Sequence, residues 1–274
     1  MNSIPFYKMS GAGNDFIIID NRDRIVSDKD LRGFIANVCR RKMSAGADGL
    51  ILIEASDKFD FRWRFFNSDG SSAEMCGNGA RCAARFAHLS GIAGTTLSFE
   101  TEAGVVEAQI NADRVKVKMP DPSDLKLAYP LELSNRSLEI STINTGVPHV
   151  IVMVGQVADV DVVSLGREIR LHPAFAPGGT NANFVQRLEG HAIEIRTYER
   201  GVEDETLACG TGAIASAVIS AHQFNLNSPV SVKTLSGEYL TIYFRAKDGQ
   251  FDNIYMEGDA RIIYTGELLP DAWQ

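Results

Sequence analysis

The sequence predicts a mixed α/β protein of the α+β type. It is expected to form two similar, pseudo-symmetric domains, each a curved, mostly antiparallel sheet rolled around a central helix, with the active site in the cleft between them. Three observations predict it. The order of elements in the first half recurs in the second. Two short stretches, Glu74 to Arg81 and Leu207 to Ile214, each place a cysteine just before a Gly-x-Gly turn that opens a helix-like run. The second of these runs, Ala213 to Ala221, carries no charge on any face, and a helix apolar all round is buried all round.

The elements follow in order. Phe6 to Met9 reads as a strand, Ser10 to Asp15 as a turn and Phe16 to Asp20 as a buried strand. Gly11-Ala12-Gly13 does not make a dinucleotide fingerprint, because a strand follows it where a helix is required. Ser27 and Asp28 predict the cap of a helix from Lys29 to Arg41, with Leu31, Phe34, Ile35 and Val38 on one face and Cys39 as a small core residue. Ala47-Asp48-Gly49 turns into the strand Leu50 to Ile53. Phe59 to Phe66 alternates aromatic with charged residues, as a half-buried strand does. Asn67 to Ser71 turns, and a helix is expected from Gly79 to about Leu89, with Cys82 as packing. Leu97 to Glu100 and Val105 to Ile110 form a hairpin about Ala103-Gly104, and Val115 to Met119 is a further strand.

Pro120-Asp121-Pro122 resists both helix and strand interior. It sets the expected domains at 1–121 and 122–258, with the tail 259–274 returning to the first. The order then recurs. Thr145 to His149 leads into the strand Val150 to Val154, and Val163 to Leu171 is helix-like. Thr180 to Val185 stands where Ala47 to Ile51 stood, and Ala192 to Tyr198 alternates. Glu199-Arg200-Gly201 takes the place of Asn67 to Gly70, and the second Cys-Gly-x-Gly helix runs to about Phe224. Val230 to Thr234 and Glu238 to Phe244 repeat the hairpin, and Ile254 to Met256 ends the cycle. Chance does not preserve element order over a whole domain. The sequence reads as strands that do not alternate with helices in βαβ fashion, which argues against a Rossmann sheet.

Composition limits the function. The chain has 274 residues, 45% hydrophobic and 23% charged, with a net charge of -8. This fits a soluble globular protein and argues against nucleic acid as the main partner. No apolar run approaches the roughly 20 residues that span a membrane, and the start of the chain lacks a secretory pattern. Four cysteines do not suggest a disulfide framework in a chain this long, and a cytoplasmic location is expected.

A cysteine at a helix N-terminus lies beside unpaired backbone N–H groups and the positive end of the macrodipole. Its thiolate is favoured there, so its pKa falls from the free value of about 8.5, and the same N–H groups can hold a carboxylate. A lone buried cysteine is ordinarily inert packing. Cys76 and Cys209 differ from that case because they occupy the same place in a repeat. Zinc fits poorly: there is no Cys-x-x-Cys pair, and His88, His149, His172, His191 and His222 do not cluster at ligand spacing. No Gly-x-Ser-x-Gly elbow supports a serine nucleophile. Two thiols suit inversion of a C–H stereocentre, which needs a base on one face and an acid on the other.

Gly11 to Phe16, Asn67 with Asp69-Gly70-Ser71, Cys76 to Cys82, Thr180-Asn181 with Asn183-Phe184-Val185, and Tyr198 to Gly201 through Thr206 to Gly212 together resemble the diaminopimelate epimerase family over essentially the full chain. The resemblance implies the two-domain fold and a cofactor-independent epimerase interconverting LL- and meso-2,6-diaminopimelate, in lysine and peptidoglycan biosynthesis. It implies Cys76 and Cys209 as the two bases, with His149 and Glu199 tuning or placing the thiols. Asn14, Asn67, Gly77, Asn78, Asn181, Glu199, Arg200, Gly210 and Thr211 would hold the substrate. No metal and no cofactor are implied. The partner is the small-molecule substrate, with no nucleic acid or membrane, and a homodimer is the candidate assembly. Val147 stands where many members of the family have Asn before the Pro-His pair, and Ser44-Ala45 stands where Gly-Ile is usual. A proline or hydroxyproline racemase-like enzyme and a non-catalytic amino-acid-binding protein stay open as alternatives.

Overall fold

The computed structural model describes residues 3–274. In chain order its elements are β1 (Ile4–Gly11), β2 (Asn14–Asp20), α1 (Leu31–Val38), β3 (Gly49–Glu54), β4 (Phe61–Asn67), α2 (Gly77–Leu89), β5 (Thr96–Thr101), β6 (Gly104–Asn111) and β7 (Arg114–Lys118). There follow β8 (Ser123–Glu132), β9 (Ser137–Asn144), β10 (Pro148–Met153), α3 (Val162–Arg170), β11 (Asn181–Arg187), β12 (Ala192–Glu199) and β13 (Asp204–Thr206). The last are α4 (Gly210–Phe224), β14 (Val230–Lys233), β15 (Tyr239–Lys247), β16 (Gln250–Asp259) and β17 (Arg261–Leu268). The described residues fall into two units, one of residues 3–117 with 258–274, the other of 118–257.

Each unit builds the same ladder. In the first, strands neighbour one another in the order β17-β1-β2-β3-β4-β5-β6-β7. In the second the order is β8-β9-β10-β11-β12-β14-β15-β16, with short β13 also on β12. Most pairs are antiparallel, and β2–β3, β4–β5, β10–β11 and β12–β14 are parallel. The parallel pairs correct the sequence reading that strands and helices do not alternate. A parallel pair needs a long crossover, and α1, α2, α3 and α4 each supply one. The hairpins on either side keep both sheets mostly antiparallel.

The helix expected from Lys29 to Arg41 is shorter, Leu31–Val38. Asp30 adopts a left-handed φ of 55° and caps nothing with its side chain, so the helical path cannot begin at Ser27 or Asp28. At the other end the backbone N–H groups of Gly46 and Ala47 donate to the carbonyls of Val38 and Cys39 at 3.0 and 3.1 Å, closing the helix before Arg41. The core of this region joins Ile17, Ile19, Leu50 and Leu52 of the sheet to Leu31, Ile35 and Val38 of α1.

In the second unit α4 contacts β9, β10, β11, β12, β14 and β15, and every residue from Gly212 to Ala221 is buried. Ile214, Val218 and Ile219 are fully buried, each contributing about 1.5–3 kcal/mol. The helix α3 covers the other face of the sheet, where Val162 and Ile169 pack with Val150, Phe184 and Tyr198. Its Gly166 lies so close to the Tyr198 side chain that a Cβ has no room.

Candidate active site

In the first unit the start of β2, the end of β4 and the start of α2 carry the expected residues. Cys76 is the N-cap of α2, in extended backbone (φ -145°, ψ 115°), and Gly79 N–H donates to its Sγ at 3.5 Å. Gly77 and Asn78 are the first two helical residues. Asn78 is buried; its Nδ2 donates to Asn14 Oδ1 at 2.7 Å, and its Oδ1 accepts from Arg81 Nη2 at 2.9 Å. Arg81 is itself fully buried and also donates to the carbonyl of Asp259 at 3.2 Å. Asn14 Nδ2 donates to Asp48 Oδ2 at 3.1 Å. Beneath Asn14 lies a charge network. Lys8, buried, meets Asp15 at 2.7 Å, and Arg41 bonds Asp15 at 2.5 Å and Asp48 at 2.8 Å. Burial works against the Asp15 charge, but Arg41 and Lys8 outweigh it and hold the carboxyl below its ordinary value. Asn67 ends β4 apart from this relay, and its amide donates to Ser71 Oγ at 3.0 Å in its own turn.

The second unit repeats the plan with different chemistry. Cys209 is the N-cap of α4 (φ -118°, ψ 112°), without a side-chain cap bond. Its Sγ lies 3.5 Å from Thr211 Oγ1. The buried Thr145 donates to the Thr211 carbonyl at 2.9 Å, tying the loop before β10 to the first turn of α4. Gly210 stands against Met256, 3.1 Å from the place a Cβ would take. Asn181, buried at the start of β11, accepts the backbone N–H of Arg200 at 2.7 Å. Among the described residues the Arg200 side chain bonds only the Gly178 carbonyl, at 3.3 Å. Glu199 ends β12 and accepts from Thr206 Oγ1 at 3.0 Å. Burial raises its carboxyl above the ordinary value, and the Thr206 hydroxyl pulls the other way. His149 is 1% exposed. Burial, with the Arg200 charge adding to it, pushes its imidazole down to about 3, so the ring is neutral at physiological pH. Val147 brings no polar group to its turn, and its carbonyl accepts the Thr145 N–H at 3.2 Å.

Three further groups were not singled out in the sequence: Asp48 under Asn14, Arg81 under Asn78, and Asn183, whose Nδ2 donates to His149 Nδ1 at 3.0 Å. A signal existed for Asn183, a second polar residue in a strand that the repeat makes apolar in its first copy. Cys82 is completely buried, and burial pushes its thiol up to about 12, which suits packing. Among the described residues no group of three His, Cys, Asp or Glu side chains is placed to hold a metal ion. No helix among them is long and apolar enough to cross a membrane.

The Diaminopimelate epimerase family profile matches residues 6–124 and 141–263. The Diaminopimelate epimerase of Aquifex aeolicus is 47% identical, over 97% of this chain and 98% of its own. That of Archaeoglobus fulgidus is 42% identical, over 97% and 96%. Among solved structures, a phenazine biosynthesis protein of the PhzF family from Bacillus anthracis superposes with a TM-score of 0.73 at 16% identity, over 98% of this chain and 100% of that one. A hydroxyproline epimerase from Agrobacterium vitis gives 0.68 at 16%, over 98% and 93%. These two show a shared fold.

Proposed function

The chain belongs to the diaminopimelate epimerase family, and from that premise we propose how its own residues carry the reaction. The activity is the interconversion of LL- and meso-2,6-diaminopimelate, an isomerase step toward lysine and peptidoglycan precursors. One thiolate, of Cys76 or Cys209, takes the proton from the substrate Cα, leaving its electron pair on carbon. The thiol of the other cysteine delivers a proton to the opposite face. The second cysteine is then the thiolate, and the reverse reaction exchanges the roles. The observation that supports this most is the equivalent placing of the two cysteines, each the N-cap of the helix that crosses over between equivalent parallel strands. Such a position favours a thiolate, and the N–H groups beside it stabilise charge developing on the substrate carboxylate.

Asn14, Asn67, Gly77, Asn78, Asn181, Glu199, Arg200, Gly210 and Thr211 hold the substrate in this reading. Arg200 suits a carboxylate, since a guanidinium offers a forked set of donors. His149 and Glu199 place the thiols and their protons. Neither a cofactor nor a metal is needed, because both proton carriers are side chains. A cytoplasmic location follows from the requirement for reduced thiols, and the candidate assembly is a homodimer.

The test is an isomerisation assay without added cofactor on LL-diaminopimelate, proline and lysine. Turnover of diaminopimelate alone is expected, lost in Cys76→Ala and in Cys209→Ala. Turnover of proline would favour the racemase reading, and an alanine variant at near wild-type rate would refute the two-base assignment.

A further inference from the structure

Matching the two ladders residue by residue reveals a difference behind the cysteines. Asn67 ends β4 and Glu199 ends β12. Two residues before these ends stand Phe65 and Thr197. Phe65 pairs with Ile51, and Thr197 with Asn183. Ile51 pairs in turn with Ile18, and Asn183 with Ile151, which makes Phe16 and His149 equivalent, two residues before these. The helices give the same match independently. A Cβ on Gly79, three residues after Cys76, would touch Ile51 Cδ1 at 3.4 Å, and a Cβ on Gly212, three residues after Cys209, would collide with Asn183 Oδ1. The first unit therefore holds Phe16, Ile51 and Phe65 where the second holds His149, Asn183 and Thr197.

The polar set is as buried as the apolar one, with exposures of 1% for His149, 0% for Asn183 and 2% for Thr197. Polar groups in such a place cost stability unless they are hydrogen-bonded. Asn183 meets that demand on every side. Its Nδ2 donates to His149 Nδ1 and to the Val150 carbonyl, both at 3.0 Å, and its Oδ1 accepts from Thr197 Oγ1 at 2.9 Å. A backbone carbonyl can only accept, so the nitrogen end of the amide faces β10 and both its hydrogens are used. His149 Nδ1 is then an acceptor, and the single ring proton of the neutral imidazole sits on Nε2. That Nε2–H is buried, and among the described residues it has no hydrogen-bond partner. A satisfied amide thus orients a ring whose own donor is left over.

We propose that Asn183 is a positioning residue that locks His149 in its Nε2–H tautomer, so that His149 serves the reaction as a hydrogen-bond donor and not as a base. Thr197 holds the amide oxygen, and Gly212 leaves room for it at the first turn of the Cys209 helix. The proposal rests on His149 belonging to the active site. It also means that the two thiols work in chemically unlike surroundings, since the first unit fills the equivalent place with hydrocarbon.

The tautomer can be read directly. Full-length enzyme carrying 15N-histidine is measured by long-range 1H–15N correlation at neutral pH, with the His149 signals identified by their loss in His149→Gln. The expected pattern is a protonated Nε2 and an unprotonated, hydrogen-bonded Nδ1. A protonated Nδ1 in the wild-type protein would overturn the proposal, whatever the variants do. Asn183→Asp replaces both donated hydrogens by acceptors. It should move a proton onto Nδ1 and lower kcat by about 100-fold, with KM within about twofold, as loss of a correctly presented proton-handling group does. Wild-type tautomer and kcat in Asn183→Asp would overturn the positioning role. A shifted tautomer with unchanged kcat would overturn the donor role of His149, and the epimerase activity of the wild-type enzyme would still stand.

Discussion

Asn78 Nδ2 donates to Asn14 Oδ1 at 2.7 Å, joining the first turn of α2 to the first residue of β2. The pair is oriented from both ends. Arg81 donates to Asn78 Oδ1, and Asn14 donates to the Asp48 carboxylate. A guanidinium cannot accept and an ionised carboxylate cannot donate, so neither amide can flip without breaking bonds.

Asp48 should therefore affect binding without touching substrate. In Asp48→Ala the Asn14 amide loses the acceptor that orients it. We expect KM to rise about tenfold, equivalent to about 1.4 kcal/mol, with kcat within about threefold. Steady-state kinetics in both directions check this, and an unchanged KM would show that the orientation of Asn14 does not matter for binding.

Arg200 is the opposite case, a side chain with little to do in the fold. Among the described residues its guanidinium bonds only the Gly178 carbonyl, at 3.3 Å. Such exposed contacts contribute about 0–1 kcal/mol. Arg200→Ala should raise KM strongly, by about 100-fold, while Tm moves by no more than a few degrees. Unchanged kinetics would return Arg200 to the surface.

Glu199 should trade stability for activity. Burial raises its carboxyl, with the Thr206 hydroxyl opposing. Between the ordinary carboxylate pKa and the raised one, the folded protein binds more protons than the unfolded chain, so stability falls as pH rises through that window. Glu199→Gln removes this loss. Its Tm should exceed wild type at pH 8 and converge toward it at pH 4, while kcat falls at least about tenfold. A lower Tm at pH 8 with unchanged kcat would contradict both halves of this expectation.

The sequence carried the repeat, the two cysteine caps and the buried α4, because each depends on local pattern: Gly-x-Gly after cysteine, and an uncharged run from Ala213 to Ala221. It did not reveal β8. That strand alternates Leu125, Leu127, Tyr129 and Leu131 with Lys126, Ala128 and Pro130, but it contains Pro130, has left-handed residues at Asp124 and Ala128, shifts register twice against β9 and is largely exposed, and a proline within such a run argues against a strand. The start of α1 was not legible because the left-handed turn at Asp30 leaves no mark in residue type. At the site, the cysteines and glycines were legible as a motif. Asp48, Arg81 and Asn183 were not, because they act through partners between 3 and 34 positions away in sequence.

The most direct measurement is the fate of solvent deuterium in the first few per cent of turnover. Either epimer is incubated with enzyme in heavy water, and the label at Cα is measured separately in product and in recovered substrate. Two thiols of opposite duty take the substrate proton on one face and deliver a solvent-derived one on the other. The account predicts that early product carries deuterium at the inverted carbon and recovered substrate does not, starting from either epimer. Deuterium appearing equally in substrate and product, or substrate hydrogen returned to the product carbon, would show a single base at work and contradict the pairing of Cys76 with Cys209.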